Sequence, residues 1–373
     1  MKPLNIGMIG YGFMGKAHSF GYANLPLIYG PQYQVTRKVI CGRNPEEVQK
    51  AAVQFGWEEW ETDWRKVVAR PDIDLIDISS TGHTHAEIAI AAAQAGKHIL
   101  CEKPLANNLA DARRMLEAVQ KAGVKHMTGF SFRRVPAITL AKQLIDEGKV
   151  GRVCHWRATW LCDWIMPEGF PLVWRLQKDK AGTGALGDIG AHIVDMANYL
   201  AGPIDEVVGT WETFRKERPL EHDRTQTGQV TVDDGAAFLA RFKNGAIGTF
   251  ETTRFAAGNK DRFTIEVNGD KGSLRFNYNN SSVLDYFNAA DSARASGFKA
   301  IYVGNSSHPY AWWQNVLPVG YGDTFVNEMY ELVDALQKGR NPEPGFDVGV
   351  QVQAVIEAVE TSIAERGWVT VQA

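Results

Sequence analysis

The sequence predicts an α/β protein in two parts: a parallel sheet covered by helices on both faces over residues 1–130, then an α+β domain over 131–373. Three observations predict it. Apolar runs of strand length alternate with helix-period segments through the first third of the chain. A glycine triplet, "GYGFMG", follows the first of those runs. In the second half, strand candidates follow one another without intervening helices, which marks a separate α+β unit.

The elements follow in order. "LNIGMIG" (4–10) is an apolar run ending in glycine, with a helix expected from Met14 to about Leu25. "TRKVICG" (36–42) is a second strand, followed by a helix near 45–55. "IDLIDIS" (73–79) is a third, before an alanine-rich helix at 84–95. "KHILCE" (97–102) is a fourth, with a helix at 108–122, and "KHMTGFSF" (125–132) is a fifth. Later, "RVCHWRATW", "EVVGTWETF", "AAFLARFKNGAIGTFETTRF" and "FTIEVNGDKGSLRFNY" are strand candidates. The last two read as hairpins turning at Asn244-Gly245 and Asn268-Gly269. Helices near 323–338 and 346–365 complete the pattern.

On that scaffold Gly10, Gly12 and Gly15 fit G-x-G-x-x-G between a strand and a helix. The glycines serve a tight turn, close approach of backbone to a pyrophosphate, and close helix–strand packing. With Phe13 and Met14 they open a helix whose unpaired N–H groups suit phosphate. A glycine turn serving packing alone is the competing reading, and the strand–turn–helix context disfavours it. At the end of the second strand, where an acid would bind the 2′-hydroxyl of NAD, stand Gly42 and Arg43. Arg43 suits a 2′-phosphate, adenine stacking or solvent equally, so the cofactor is expected to be NAD(P).

Composition excludes other classes. Hydrophobic residues make up 45% of the chain and charged residues 22%, enough for a substantial core. Net charge is −3 without a basic tract, so no nucleic-acid partner is expected. No apolar run reaches spanning length, and the first fifteen residues are too broken by glycine for a leader, so no membrane association is expected. Four cysteines, at 41, 101, 154 and 162, lack zinc or redox spacing and read as reduced thiols of a cytoplasmic protein. Several of the 11 tryptophans, including Trp156, Trp160, Trp164, Trp174, Trp211, Trp312 and Trp313, lie in the second part. Most are expected to fill a core or an interface, while a subset at a cleft would pack on a sugar ring.

"GALGDIGAHIVDMANYL" (184–200) reads as one helix with Ile189, Ile193, Met196, Ala197 and Leu200 on an apolar face. Asp188, His192, Asp195 and Tyr199 share a second face. Asp188 and His192 suit a proton-handling pair, or an N-cap beside a histidine at the core's edge.

With "LCEKPLA" (100–106), the N-terminal glycines and the later D-I-G-x-H, the chain resembles the Gfo/Idh/MocA family of NAD(P)-dependent sugar and inositol oxidoreductases. The resemblance implies a Rossmann domain and a C-terminal domain built on a large, mostly antiparallel sheet. That sheet commonly packs against another subunit's, which implies a homo-oligomer, a dimer or tetramer. It implies that Lys103, at the carboxyl end of a buried strand, contacts both the nicotinamide ribose and the substrate hydroxyl. It also implies catalysis by Asp188 and His192, with Asp195 a further acid near substrate. Ser79, Ser80, His85, Glu102, Trp174 and Arg175 complete the expected cofactor contacts. The loop "STGHTH" departs from the family's usual "TPN..H", with Thr81 and Gly82 in place of Pro and Asn. His83 and His85 form an HxH without an evident third ligand, so a metal-free site is expected.

The expected reaction moves a hydride between NAD(P) and a ring secondary hydroxyl of a small sugar or polyol. His192 takes the hydroxyl proton, Lys103 stabilises the forming alkoxide, and Asp188 orients the ring. Phe132, Arg134, Trp160, Asp163 and Arg175 are further substrate candidates, each weighed against a structural ion pair or core aromatic. "WRLQK", "GALGDI" and "HPY" (308–310) resemble the branch acting at carbon 3 of levoglucosan and related glycosides. The alternatives are an inositol dehydrogenase and a non-catalytic NAD(P)-binding sensor.

Overall fold

Leu4–Ile9, β1, owes its central place to Ile6, Met8 and Ile9, which are buried between helices. The strands that join it are β2 (Val35–Cys41), β3 (Glu59–Glu61), β4 (Leu75–Ile78), β5 (His98–Glu102) and β6 (His126–Gly129). In a computed structural model describing residues 4–312, 318 and 320–372, these six form a parallel sheet in the order β3-β2-β1-β4-β5-β6. Helices α1 (Phe13–Tyr29), α2 (Pro45–Phe55), α3 (Trp64–Ala69), α4 (His85–Gln94) and α5 (Leu109–Ala122) connect them. The helices after β2 and β5 start at side-chain caps: Asn44 accepts from Glu46 N and Glu47 N, and Asn108 from Asp111 N. β3 and α3 were not expected. β3 is a three-residue edge strand without a buried face, so it carries no period to read.

The chain clusters into two compact units, Met1–Arg134 with Gly320–Gln353, and Val135–Val319 with Ala354–Ala373. Residues 320–353, expected in the second domain, thus belong with the first. The helix Tyr321–Gln337 gives Met329, Leu332 and Val333 to the core that holds Ile6, Met8 and Ile40. Gly21 of α1 makes the contact possible, because a Cβ there would lie 2.8 Å from the Phe325 carbonyl oxygen.

The second unit is built on nine strands: β7 (Val153–Leu161), β8 (Ile204–Glu212), β11 (Gly235–Phe242), β12 (Ile247–Thr253), β13 (Arg262–Gly269), β14 (Gly272–Asn277), β15 (Val283–Asn288), β16 (Lys299–Tyr302) and β17 (Val369–Thr370). Their order across the sheet is β16-β15-β14-β13-β7-β12-β11-β8-β17. Between β8 and β11 in the chain, β9 (Glu217–Pro219) and β10 (Thr227–Gln229) form a separate two-stranded ladder. The β7–β12 pairing is parallel and the other pairings in the nine-stranded sheet are antiparallel. One hairpin turns at Asn244-Gly245 as expected, with Gly245 at φ +85°. The other turns two residues late, at Asp270-Lys271, because Gly269 still pairs with Val153 at the end of β13. Gly269 lies against neighbouring backbone instead: a Cβ there would meet the Val150 carbonyl oxygen at 2.2 Å.

Alternation in β7, β11 and β12 sorts Trp156, Ala158, Trp160, Phe238, Ala240, Phe250 and Thr252 to a buried face. Helices α6 (Pro136–Asp146), α7 (Lys178–Ala181), α8 (Ala185–Asp188) and α9 (Gly190–Leu200) accompany the sheet, α9 packing on β7 and β12. The opposite face carries Leu239 and Ile247, about half exposed. No helix among the described residues is long and apolar enough to cross a membrane. Trp313 lies outside the described residues.

Candidate active site

The three glycines meet different surroundings. Gly10 has φ +115°, and a Cβ on it would lie 2.5 Å from the Ser79 carbonyl oxygen, so the turn is pressed against the end of β4. A Cβ on Gly15 would meet the Gly10 carbonyl oxygen at 2.4 Å, the close helix–strand contact. Gly12, the N-cap of α1, faces open space with no atom within 4 Å of its Cβ position. That space opens at the N-terminus of α1, whose first N–H groups have no helical partner and suit a pyrophosphate. Phe13 projects from the same turn, two-thirds exposed and stacked on Tyr321, whose hydroxyl donates to the Met14 sulfur. At the end of β2, Tyr11 lies over Gly42, where a Cβ would strike the ring at 2.0 Å. Tyr11 and the exposed Arg43 line an open groove with Asn44, Pro45 and Glu46.

Beneath the expected nicotinamide side lies a buried polar cluster that, Ser79 and Glu102 apart, the sequence does not announce. His18 of α1 bridges two carboxylates, Nδ1 to Asp77 at 2.9 Å and Nε2 to Glu102 at 3.0 Å. Tyr22 and Ser79 each donate a hydroxyl to Asp77, at 3.0 and 2.8 Å. Burial opposes the imidazolium, but the two carboxylates outweigh it and hold His18 well above the usual histidine range. Glu102 accepts from the Lys103 backbone N–H at 3.1 Å with its other oxygen. Both oxygens of Glu102 are therefore turned inward, and the side chain expected to touch cofactor is a strut. His85 is a second strut, expected at the cofactor but fully buried, with Nε2 at 3.1 Å from the Ser80 carbonyl and Nδ1 at 3.1 Å from that of Pro104. Burial pushes its pKa down. Ser80 shares a hydrogen bond with Thr84 at 2.7 Å. Lys103 follows β5 directly, half-buried.

Glu328, on the helix Tyr321–Gln337, completes this cluster. It is fully buried and neither carboxyl oxygen has a hydrogen-bond partner. Burial raises its pKa to about 8, His18 pulling it down and Glu102 pushing it up. Two expected substrate residues also lie in this unit. Phe132 is buried, and Arg134 donates to the Glu343 carbonyl while its own carbonyl accepts from Asn327 Nδ2 at 3.0 Å. Arg134 thus ties backbone together from a site that is 9% exposed.

In the second unit the expected single helix is two. α8 ends at Asp188, Ile189 breaks the helix with φ −107° and ψ −27°, and α9 begins at Gly190. Asp188 therefore is not an N-cap, and no side chain caps α9. Its carboxylate instead faces two guanidinium groups, Arg254 Nη1 at 3.3 Å and Arg175 Nε at 3.7 Å. Arg175 also lies over Trp174, its guanidinium carbon 4.3 Å from the ring centroid. His192 and Asp195 are buried on α9 with the apolar positions, so this helix is enclosed on most sides. Trp160 sits 5.2 Å from the His192 ring and stacks on Phe263 at 4.7 Å. Its indole, buried with the imidazole, is a plate that supports the His192 ring. Asp163, another expected substrate residue, pairs with Lys260 at 2.6 Å and accepts from Gly258 N. The lysine holds its carboxyl below the usual range. Arg254 and its neighbour Asp233 stand in no motif, and only the fold reveals them. Among the described residues, no three His, Cys, Asp or Glu side chains gather at metal-binding distances, and His83 is exposed.

Comparison with known proteins follows the same division. Residues 4–130 match the NAD-binding Rossmann fold of an oxidoreductase family, and residues 138–275 match the GFO/IDH/MocA C-terminal domain. The chain is 42% identical to levoglucosan dehydrogenase of Pseudarthrobacter phenanthrenivorans over 386 aligned residues, covering 100% of this chain and 99% of that one. It is 26% identical to myo-inositol 2-dehydrogenase of Thermotoga maritima, covering 97% of each. It superposes on a levoglucosan dehydrogenase complexed with NADH and levoglucosan with a TM-score of 0.96, at 43% identity and 100% coverage of both chains.

Proposed function

The chain belongs to the Gfo/Idh/MocA family of NAD-dependent oxidoreductases acting on sugar hydroxyls, and from that premise we propose that it oxidises carbon 3 of a pyranose of the levoglucosan or glucoside type to a 3-keto sugar. The observation that carries the reading is end-to-end similarity to levoglucosan dehydrogenase, in a chain whose Asp188 carboxylate is fixed by arginine just before His192. The Gly10–Gly15 turn would hold NAD(P), which would supply the hydride acceptor for the carbinol carbon. The chain supplies the rest. His192 accepts the hydroxyl proton, and Trp160 holds its ring. Lys103 offers a cation to the developing alkoxide, its loop tied down by Glu102 and His85. Asp188 accepts from a neighbouring ring hydroxyl, and Arg175 flanks it. We also propose a cytoplasmic location, to which four free thiols are suited, and a homo-oligomer joined through the open sheet face.

Reduced-nicotinamide absorbance, with levoglucosan, methyl glucosides and inositols each offered with NAD and NADP, tests this reading. Turnover of a pyranose above any inositol is the expected result. Preference for an inositol favours the cyclitol reading, for which the myo-inositol relative speaks. Cofactor binding without turnover of any polyol favours a sensor. In the active pairing, Lys103→Ala and His192→Ala each lower kcat by orders of magnitude and leave NADH binding nearly intact. Near-normal turnover in either variant removes its assigned role.

A further inference from the structure

Asp188 ends a helix of four residues, too short to hold a carboxylate by its own hydrogen bonds. What holds it comes from the sheet. Asp233, just before β11, is fully buried and meets the start of α8 with three acceptors. Its carboxylate takes the backbone N–H of Gly184 at 2.6 Å and of Leu186 at 2.9 Å, and its carbonyl takes that of Ala185 at 3.1 Å. These are the donors that a helix leaves unsatisfied at its N-terminus. Gly184 permits the approach, since a Cβ there would lie 1.8 Å from the Asp233 carbonyl oxygen.

The other end is held by Arg254, immediately after β12 and fully buried. Its Nη1 donates to Asp188 Oδ2 at 3.3 Å and to the Arg175 carbonyl at 3.4 Å, and Nη2 donates to the Asp233 carbonyl at 3.2 Å. Its backbone N–H donates to the Asp234 carbonyl at 2.9 Å, which ties it to the same strand connection. A guanidinium removed from water is costly unless it is paired, so a cation at this depth is strong reason to look for what it holds. The carboxylate that it holds, Asp188, is the one assigned to the substrate hydroxyl. Arg175 lies on the exposed side of the same carboxylate at 3.7 Å, over a third exposed and on a short loop turn, and is the looser partner.

We propose that Arg254, with Asp233 at the opposite end of α8, is the positioning residue that sets the Asp188 carboxylate for the ring hydroxyl next to the one oxidised. It touches neither substrate nor cofactor and works through Asp188. The inference rests on the role given to Asp188 under the proposed function.

A double-mutant cycle on the NAD-loaded enzyme tests it, with Arg254→Met, Arg254→Lys, Asp188→Asn and the Arg254→Met/Asp188→Asn pair assayed on levoglucosan. Arg254→Met is expected to cost about 100-fold in kcat/KM, the scale of a misplaced catalytic contact, with NADH affinity unchanged. Arg254→Lys regains part of that loss. In the Asp188→Asn background Arg254→Met costs little more, because the group it acts through is already gone. Losses that multiply across the two sites, or fall equally on NADH binding, overturn the proposal and make Arg254 a packing residue. Should Arg254→Met not fold, Arg254→Lys takes its place in the cycle, and the same two patterns of loss separate positioning from packing. If the wild-type enzyme turns over no levoglucosan, the substrate reading fails by itself. The crystal structure of the NADH complex of Arg254→Lys then decides the positioning claim: an Asp188 carboxylate moved off its wild-type place supports it, and an unmoved one overturns it.

Discussion

Glu328 shows how much a single buried carboxyl can say. Unfolded, it ionises near its ordinary value of 4.5, and folded it keeps its proton to about 8. Between those values the native chain binds the additional proton, so this residue makes stability fall as pH rises, by on the order of 5 kcal/mol, and the loss levels off above about 8. His18, raised by Asp77 and Glu102, acts in the same sense: its contribution is complete below its unfolded value and is lost as pH climbs through the folded one. Glu328→Gln keeps the shape and removes the titration. Thermal unfolding across pH should show the variant gaining on the wild type from about pH 5 to about pH 8, and parallel curves would mean that Glu328 does not carry the proton. The pairing within this cluster is not legible in the sequence. Asp77 stands within the apolar run "IDLIDIS" and His18 one turn past the glycines, but a sequence does not say which buried charges meet. Lys103, Asp188 and His192 are singled out by the sequence because they sit in motifs; Arg254, in "TTRF", sits in none. Trp160, Asp163, Arg134 and Glu102 have residue types that suit a cleft and a scaffold alike, and a sequence does not show the stack, ion pair or hydrogen bonds in which the fold engages them.

Elements with a sustained period are read correctly from sequence, and those shorter than one period are not. β1, β2, β4 and β5 carry buried runs, whereas β3 has three residues and no inward face. The break between α8 and α9 is hidden because Ile189 keeps both the apolar spacing and a right-handed helical backbone, its φ of −107° being the departure. The glycine turn offers the sharpest test at this scale. Gly15→Ala drives a Cβ to 2.4 Å from the Gly10 carbonyl oxygen and should lower the melting temperature markedly. Gly12→Ala meets nothing within 4 Å, so its melting temperature without ligand should stay near wild type while NADH affinity, followed by fluorescence titration, falls steeply. If Gly12→Ala binds NADH normally, the pyrophosphate lies elsewhere.

For the whole molecule, the class, the order of units and the antiparallel character of the second sheet are legible, and the return of residues 320–353 to the first unit is not. That return depends on a helix–helix fit at Gly21, which has no linear signature. The open face of the nine-stranded sheet bears Leu239 and Ile247 among threonines and charges, a surface suited to a second copy. Light scattering after size exclusion should report a dimer or tetramer, and Leu239→Glu with Ile247→Glu should yield a folded monomer. A monomeric wild type would remove the assembly proposal. The one parallel pairing, β7 with β12, has a further consequence. Side-by-side strands running the same way must be joined by a long detour, and here the detour between Leu161 and Ile247 carries Asp188 and His192. Lengthening or trimming the parts of it outside β8 and β11 need not disturb the hydrogen-bond ladder that it leaves and rejoins. Such a layout lets a lineage remodel what it consumes while inheriting its framework intact.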